Sequence, residues 1–271
     1  MAMIRRPISR WFTFGLGVSG VILLLMVYVA LSSRQTQINP KQRVIPGWNA
    51  FAEGATRLTK AQGTADTPKP SMLLTDLKAT YWRLLLGLGL GVVLSVCVGI
   101  AMGAYRWIEA TLAPIISFLA KIPPTAMLPI YFVLVGTDQT MFTTMVALGV
   151  FFTMAQSVYQ AIANDVKLHA INKAYTLGGS DPEIIYEGIW KQILPAILDN
   201  IRLQIGPAMI FLLAAEMLVG GEGIGYRIRM ESRVLNMSIV YLYLGILGAT
   251  GLMADWLLLR LRQYLCPWYQ R

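Results

Sequence analysis

The chain alternates between long apolar segments and shorter polar intervals. Each apolar segment is about twenty residues long or slightly more, which is the length that an α-helix needs to cross the hydrocarbon core of a bilayer. The segments predicted to span are 11–31, 81–104, 112–135, 141–162, 195–219 and 239–259. The pattern therefore predicts an all-α integral membrane protein with about six transmembrane helices.

Basic residues precede the first apolar segment, because Arg5, Arg6 and Arg10 come before 11–31. Such a flank occurs both in cleaved signal peptides and in a first transmembrane helix that enters from the cytoplasm. The segment is longer than the apolar core of a signal peptide, which has about 7–15 residues, and a good cleavage site is missing. We therefore predict that this segment is the first span.

The stretch 32–74 is too polar to cross a membrane, and it contains Pro40, Pro46, Pro68 and Pro70. Within it, apolar residues recur at helical spacing at Trp48, Phe51, Ala55 and Leu58. This spacing predicts an amphipathic helix that lies on the protein or on the membrane interface.

The second predicted span carries a small residue at every fourth position: Gly87, Gly91, Ser95, Gly99 and Gly103. This spacing places the small residues on one helix face, where a second backbone can approach closely. Helix packing is the favoured interpretation. The alternative is that this face lines a moving interface or part of a transport pathway.

The third predicted span is interrupted by Pro114, Pro123, Pro124 and Pro129. Proline removes a backbone donor and clashes with the preceding turn, so this helix must kink or break. Broken backbone at membrane depth is tolerated where it is buried in protein or lines a cavity. Lys121 lies beside the break, and we expect it either to extend its ammonium to the cytoplasmic interface or to contact an anion in a pathway.

Glu216 and Asp255 are acidic residues that lie within predicted spans. Glu216, near the end of 195–219, is expected either to pair with a nearby cation or to contact the pathway. Asp255, near the end of the sixth span, is predicted to pair with Arg260 or Arg262. The pathway candidates are therefore Lys121, Pro123, Pro124 and Glu216.

Composition excludes several classes of protein. The chain has 271 residues, of which 56% are hydrophobic and only 14% charged, whereas soluble domains carry about a quarter charged residues. The net charge of +9 is spread among membrane spans, so it does not indicate nucleic-acid binding. Cys97, Cys266 and the single His169 form neither a metal site nor a catalytic constellation.

The glycine-rich stretch 220–236 lacks the GxxxxGK[ST] pattern of an ATP site, and a turn or short re-entrant segment is predicted there.

The polar interval 164–195 is longer than a connection between two membrane spans requires. It contains a break at Gly178-Gly179-Ser180, a predicted helix start at Asp181-Pro182 and a closing Leu194-Pro195, with which the fifth span begins. A segment of this length and polarity indicates contact with a protein outside the membrane.

Several motifs in this order resemble one known family. Ala174 followed by Gly178 and then Ile193-Leu194-Pro195 resembles the cytoplasmic "EAA" loop of ABC importer permeases. Three further motifs resemble the nitrate/sulfonate/taurine branch: Pro123-Pro124 with Leu128-Pro129, Ala215-Glu216-Met217, and Gly223-Ile224-Gly225-Tyr226. The resemblance covers roughly residues 75–265. Two departures are Asn172-Lys173, where the family usually has Glu and Ala, and a loop four residues longer, which is close to one helical turn.

The resemblance implies a type I (MetI-like) permease architecture. Residues 1–74 would form an N-terminal transmembrane helix with an extracytoplasmic loop, and residues 75–271 the permease core with its coupling loop at 164–195. The residues implied to couple the chain to an ATPase are Ala174, Gly178, Gly179, Ser180, Asp181 and Glu183. The chain itself would hold no catalytic residue, cofactor or metal.

The resemblance also implies partners and location. We expect two copies of an ABC ATPase that carries the ATP and Mg²⁺, an extracytoplasmic solute-binding protein, a second permease copy in a homodimer, and lipid, but no nucleic acid. The location implied is the bacterial inner membrane, with both termini in the cytoplasm. The solute implied is a small anion similar to nitrate, bicarbonate, sulfonates or taurine. The alternative function is a self-sufficient secondary transporter or channel.

Overall fold

The computed structural model describes residues 9–38, 45–62 and 69–269, so Arg5, Arg6, Pro40 and Pro68 lie outside the described residues. The described chain is almost entirely helical. Its helices are α1 (Arg10–Ile38), α2 (Trp48–Thr59), α3 (Met72–Ala104), α4 (Arg106–Leu119), α5 (Leu128–Val135), α6 (Gln139–Asp165), α7 (Leu168–Thr176), α8 (Asp181–Glu183), α9 (Lys191–Val219), α10 (Ile224–Arg233) and α11 (Met237–Leu265). Two short strands, β1 (Ala61–Gln62) and β2 (Lys69–Ser71), pair antiparallel.

Five helical segments of the described chain are long and apolar enough to cross a bilayer: Trp11–Arg34, Met72–Ala104, Gln139–Asp165, Asp181–Val219 and Met237–Leu265. A sixth is obtained when α4 and the segment Pro124–Val135, which are bent by 83° relative to each other, are taken as one broken span. The prediction of an all-α membrane protein with about six spans is confirmed. The predicted break in the third span is also confirmed, with a 3₁₀ turn at Pro124–Met127 that precedes α5.

The small-residue stripe of α3 packs directly against α6. A Cβ added at Gly91 would lie 2.8 Å from the carbonyl oxygen of Ala147, and one at Gly99 would lie 2.7 Å from Cβ of Val158. The Ser95 hydroxyl, which is fully buried, lies 2.6 Å from the Gly91 carbonyl oxygen. Glycine is needed here because the two backbones approach more closely than a side chain would allow. The helix-packing interpretation of the stripe is confirmed.

The largest apolar cluster is centred on α6. Met145, Val150 and Met154 of this helix are fully buried, and they pack with residues from α3, α5 and α9. Hydrophobic side chains on the outer faces of the bundle are exposed, as expected where the surroundings are lipid rather than water. α6 is therefore the central helix of the bundle.

The fifth span differs from its prediction. Pro195 does not start it, because a single helix runs from Asp181 to Val219 through α8, a π-helical stretch at Ile184–Trp190, and α9, with Pro195 and Pro207 inside. Proline is tolerated within a membrane helix when neighbouring helices pack around the site of the missing N–H. The first helical turn after the polar loop and the whole span therefore form one element.

Two shorter intervals also contain helix. Arg106 and Glu109 lie in the first turn of α4. The glycine-rich stretch 220–236 contains α10, a helix of ten residues that packs on α9, α11 and α3.

α1 and α2 lie at the edge of the bundle. The predicted amphipathic helix is confirmed as α2, whose Leu58 is buried against α10 and α11. α1 meets the remaining chain through Tyr28, whose ring lies 6.2 Å from those of Phe51 and Tyr241 and whose hydroxyl donates to the Pro46 carbonyl oxygen at 2.7 Å. The division of the chain at residue 74 stays a prediction.

Candidate functional site

The polar loop between α6 and α9 is built around a sharp turn after α7. The N–H of Gly178 donates to the Tyr175 carbonyl oxygen at 2.9 Å, and the N–H of Gly179 donates to the Ala174 carbonyl oxygen at 3.1 Å. Gly178 has φ of +87° and nothing lies within 4 Å of a Cβ added there. Glycine is therefore required by the backbone conformation and not by lack of space.

The next helix starts at Asp181, as predicted, and its first turn is capped. Both the N–H and the hydroxyl of Ser180 donate to Oε2 of Glu183, at 2.9 and 2.8 Å. The Tyr175 hydroxyl donates to Oδ1 of Asp181 at 2.9 Å, and this hydrogen bond raises the pKa of Tyr175 above its ordinary value. These contacts fix the angle between α7 and the helix that follows.

The loop exposes apolar side chains on one side while it is anchored on the other. Leu168, Tyr175, Leu177 and Tyr186 are exposed, with Leu177 at 79%. Ile184 and Ile189 of the same region are buried in the bundle. The predicted coupling residues are thus brought together in one exposed, hydrogen-bonded turn: Ala174, Gly178, Gly179, Ser180, Asp181 and Glu183.

The predicted pathway residues Lys121, Pro123 and Pro124 lie together at the break between α4 and α5. Lys121 is exposed, and its ammonium has no hydrogen bond or ion pair within the described residues. The ring of Pro124 lies against α6, since a Cβ added at Gly149 would be 3.2 Å from Cγ of Pro124. Irregular backbone at this break is therefore covered by α6 at Pro124, while the nearby Lys121 is exposed.

Glu216, the fourth pathway candidate, lies elsewhere, in a buried network near the end of α9. Its side chain is 0% exposed and accepts from Nη1 of Arg83 at 2.8 Å. It also accepts from the Thr80 hydroxyl at 2.9 Å and from the Gly225 N–H at 2.9 Å. The interpretation of Glu216 as the partner of a cation agrees with this arrangement. No contact in the described part of the chain links Glu216 to Lys121.

A second carboxylate, that of Asp76, completes the network, and its role was not predicted from the sequence. It is fully buried and accepts from Nε of Arg227 at 2.9 Å, from the Tyr243 hydroxyl at 2.7 Å and from the Gly223 N–H at 3.2 Å. Asp76, Thr80 and Arg83 are spaced four and three residues apart, so they share one face of α3. This spacing could have identified them. It was overlooked because the second span was predicted to begin at residue 81, whereas α3 begins at Met72 and therefore includes Asp76 and Thr80.

The network explains the glycine-rich motif that follows α9. Gly223 has φ of +114°, and a Cβ added there would lie 2.5 Å from Oε1 of Glu216. At Gly225 the added Cβ would lie 2.6 Å from the Leu213 carbonyl oxygen. These glycines allow the chain to turn tightly around the Glu216 carboxylate, which fixes α10 against α3 and α9.

The charged residues in the first half of α9 pair with α11, which differs from the ion pairs predicted for Asp255. Asp255 pairs with Arg202 of α9 rather than with Arg260 or Arg262 on its own helix. Arg262 instead donates to Asp199 of α9 at 2.6 and 2.7 Å. The prediction was wrong because α11 packs along α9, so the interhelical partner is in reach.

Comparison with known proteins agrees with this architecture. Residues 91–264 match the family described as binding-protein-dependent transport system inner membrane component. A probable ABC transporter permease protein of Brucella abortus (strain 2308) is 31% identical over 199 residues, which cover 73% of this chain and 79% of that relative. The taurine transport system permease protein TauC of Escherichia coli (strain K12) is 27% identical over 267 residues, which cover 98% of this chain and 93% of TauC.

Other relatives and a solved structure extend the similarity. Permeases named for aliphatic sulfonates in Bacillus subtilis and for nitrate in Synechocystis are 28% and 27% identical over 72% and 63% of this chain, and these matches cover 71% and 62% of the relatives. The inward-facing MetNI methionine ABC transporter shares the fold, with a TM-score of 0.61 and 16% identity over 72% of this chain and 97% of that chain. The resemblance to the nitrate/sulfonate/taurine branch and the MetI-like architecture are confirmed. The chain belongs to the family of binding-protein-dependent transport system inner membrane components and is a permease subunit of an ABC importer.

Proposed function

We propose that this permease forms the translocation pathway for a small anionic solute and is driven by a separate ATPase docked on the turn at Gly178. The observation that carries the proposal is the capped turn, which exposes apolar side chains at the start of one continuous membrane helix. Family membership favours this function over the alternative of a self-sufficient secondary transporter or channel.

The turn has the properties of a docking site for a rigid partner. Exposed apolar residues such as Leu177 and Tyr175 would be buried on association, and burial of apolar surface favours binding. The hydrogen bonds of Ser180 and Glu183 hold the turn in one conformation, so little conformational entropy is lost on docking. We assign the ATPase contact to Ala174, Gly178, Gly179, Ser180, Asp181 and Glu183.

The helix after the turn provides a mechanical connection to the membrane. It contains 39 residues from Asp181 to Val219, which corresponds to roughly 57 Å at ~1.5 Å per residue. Displacement of the turn by an ATPase would therefore move a helix that carries the buried Glu216 close to its far end. This geometry supports coupling through α9 rather than through a flexible linker.

The docking assignment determines the orientation that we propose. With the turn at Gly178 in the cytoplasm and six spans, both termini are cytoplasmic, and α2 and α10 face the outside. A solute-binding protein would approach from that side, while the ATPase, present in two copies, would supply the ATP and Mg²⁺ sites. We propose a homodimer of permease chains in the bacterial inner membrane, with no catalytic residue, cofactor or metal on this chain.

The solute class is inferred from the names of relatives and from the position of Lys121. The relatives named above carry taurine, aliphatic sulfonates or nitrate in their names, and these solutes contain small, oxygen-rich anionic groups. Among the described residues, the ammonium of Lys121 has no partner, and it lies beside the break formed by Pro123 and Pro124. An ionisable side chain at membrane depth is a candidate contact for a transported ion. We propose that the solute is of the nitrate, bicarbonate, sulfonate or taurine type.

The experiment that tests the docking assignment substitutes Gly178. Gly178→Asp should leave the amount of chain in the membrane unchanged but abolish solute-dependent ATP hydrolysis by the assembled transporter. The reason is that a side chain at φ of +87° strains the turn and adds charge to the docking surface. The matched control is Gly188→Ala in the same region, where the added Cβ makes only an ordinary contact of 3.7 Å with Ile184. Normal hydrolysis by Gly178→Asp would refute the assignment.

A further inference from the structure

A large groove lies between α3 and α6, near the ends of both helices where each begins. Its volume is about 1010 Å³, and most of its lining is apolar, including Leu86 and Leu90 of α3. Trp82 stands at the groove with 63% of its surface exposed. Trp82 lies ten residues into α3, at the start of the apolar span predicted for 81–104, and tryptophan is enriched at the depth of the membrane–water interface. The groove therefore extends from the interface toward the hydrocarbon core.

The rim of the groove carries polar groups that are free to bind a ligand. Lys78 is exposed, and neither its ammonium nor the Thr140 and Thr144 hydroxyls make a hydrogen bond within the described residues. Thr140 lies in the first turn of α6, where the N–H groups are not capped by the side chain of Asp138. A helix N-terminus and an ammonium both favour an anionic group.

The other charged groups of the groove already have partners. Arg83 donates to Glu216 and to Oε1 of Glu222, the second contact being 3.4 Å long. Gln139 donates to the same Glu222 oxygen at 3.4 Å. Lys78 is consequently the cation that remains available along the described lining.

We propose that this groove binds a phospholipid, with one acyl chain along Leu86 and Leu90 and the phosphate at Lys78. The apolar floor, the cationic rim and the position of Trp82 at the interface together match the two parts of such a lipid. A phosphate accepts strong hydrogen bonds from an ammonium and from hydroxyls, whereas an acyl chain needs only an apolar channel. This site is independent of the docking turn, and its test does not depend on transport.

Quenching of tryptophan fluorescence by a brominated lipid tests the proposal. Phosphatidylethanolamine with dibrominated acyl chains is titrated into the full chain, purified with any subunits that remain bound, in detergent micelles. The part of the quenching that is absent in Trp82→Phe reports on the groove, and we expect it to saturate. Dibrominated diacylglycerol, which has the same chains but no phosphate, should need about tenfold more lipid for half-saturation, as expected for the loss of a charge-assisted hydrogen bond.

Variants separate the two halves of the site. Lys78→Ala should raise the half-saturating concentration of the brominated phospholipid about tenfold, whereas Lys60→Ala, an exposed lysine outside the groove, should leave it unchanged. Ala79→Leu, which fills part of the groove but retains Lys78, should remove the saturable quenching.

Three results would overturn the proposal. The first is equal half-saturation by diacylglycerol and phospholipid, and the second is an unchanged titration of Lys78→Ala. The third is the absence of Trp82-dependent quenching in the wild-type protein, which is the result expected if a second copy of the chain covers the groove.

Discussion

Arg83 of α3 and Glu216 of α9 form a buried ion pair, with 2.8 Å between Nη1 and Oε1 and side chains that are 3% and 0% exposed. The residues are 133 positions apart in the chain, and the pair joins α3 to α9, the helix that follows the turn at Gly178. The same Glu216 carboxylate accepts the Gly225 N–H. A single side chain thus holds three helices together at one end of the bundle.

Removal of the carboxylate charge should be strongly destabilising. Glu216→Gln removes the closer of the two carboxylates that face the buried Arg83 guanidinium and leaves only Glu222, at 3.4 Å. Breaking a buried ion pair from one side costs about 3 kcal/mol or more. The measurement is thermal unfolding of the purified chain in detergent. The exposed pair Glu187–Lys191 provides the control, because Glu187→Gln should not change the midpoint measurably. A double variant, Arg83→Met with Glu216→Leu, should recover only part of the loss, because the Thr80 hydroxyl and the Gly225 N–H would still lose their acceptor. No recovery at all would show that the charge pair contributes little to the loss.

Gly223 should tolerate no side chain. Gly223→Ala places a Cβ at positive φ and 2.5 Å from Glu216, so we expect a loss of stability of at least about 1–3 kcal/mol from backbone strain alone. Gly221→Ala is the matched control two residues earlier, since nothing lies within 4 Å of its added Cβ and its φ is not positive. Equal unfolding midpoints for the two variants would contradict the role assigned to the Glu216 turn.

The contact between α3 and α6 should depend on one face of α3. Gly91→Val forces a side chain against the Ala147 carbonyl oxygen at 2.8 Å, and overpacking of this kind costs about 1–3 kcal/mol or more. Gly89→Val, on the open face where nothing lies within 4 Å, should change the unfolding midpoint little. The two variants differ only in the helix face, so a comparable effect of both would argue against close packing at Gly91.

The charges of α9 and α11 should couple in interhelical pairs. A double-mutant cycle between Asp199 and Arg262 should give an interaction energy of about 0.5–1 kcal/mol, because these residues are in direct contact. A cycle between Asp255 and Arg262 should give an energy near zero, since Asp255 pairs with Arg202. A larger interaction energy for Asp255 with Arg262 than for Asp199 with Arg262 would instead support the pairing along α11 that the sequence predicted.

Lys121 should contribute to uptake if it contacts the solute. In proteoliposomes with the assembled transporter, Lys121→Ala should lower the uptake of an anionic solute over a concentration series, because the positive charge beside the helix break is lost. Lys121→Arg keeps the positive charge and should retain most of the uptake. If uptake by Lys121→Ala is unchanged at every solute concentration, Lys121 takes no part in the pathway and only extends its ammonium to the interface.

Features that depend on a few neighbouring residues were determined by the sequence. Apolar length predicted the spans, the missing N–H groups of Pro123 and Pro124 predicted the break, and the four-residue spacing that includes Gly91 and Gly99 predicted the packing face. The turn at Gly178 and the helix start at Asp181 also follow from local chemistry, because glycine permits positive φ and Ser180 with Glu183 forms a cap. These properties need no knowledge of distant contacts.

The tertiary structure alone decided which distant groups meet. It paired Glu216 with Arg83, joined Asp76 to Arg227, and exchanged the expected partners of Asp255 and Arg262. It also showed that the helix from Asp181 passes through Pro195 without a break. The physical reason is that two charged side chains can pair only if the packing of their helices brings them within reach. Burial adds to this, because a buried charge without a partner is costly.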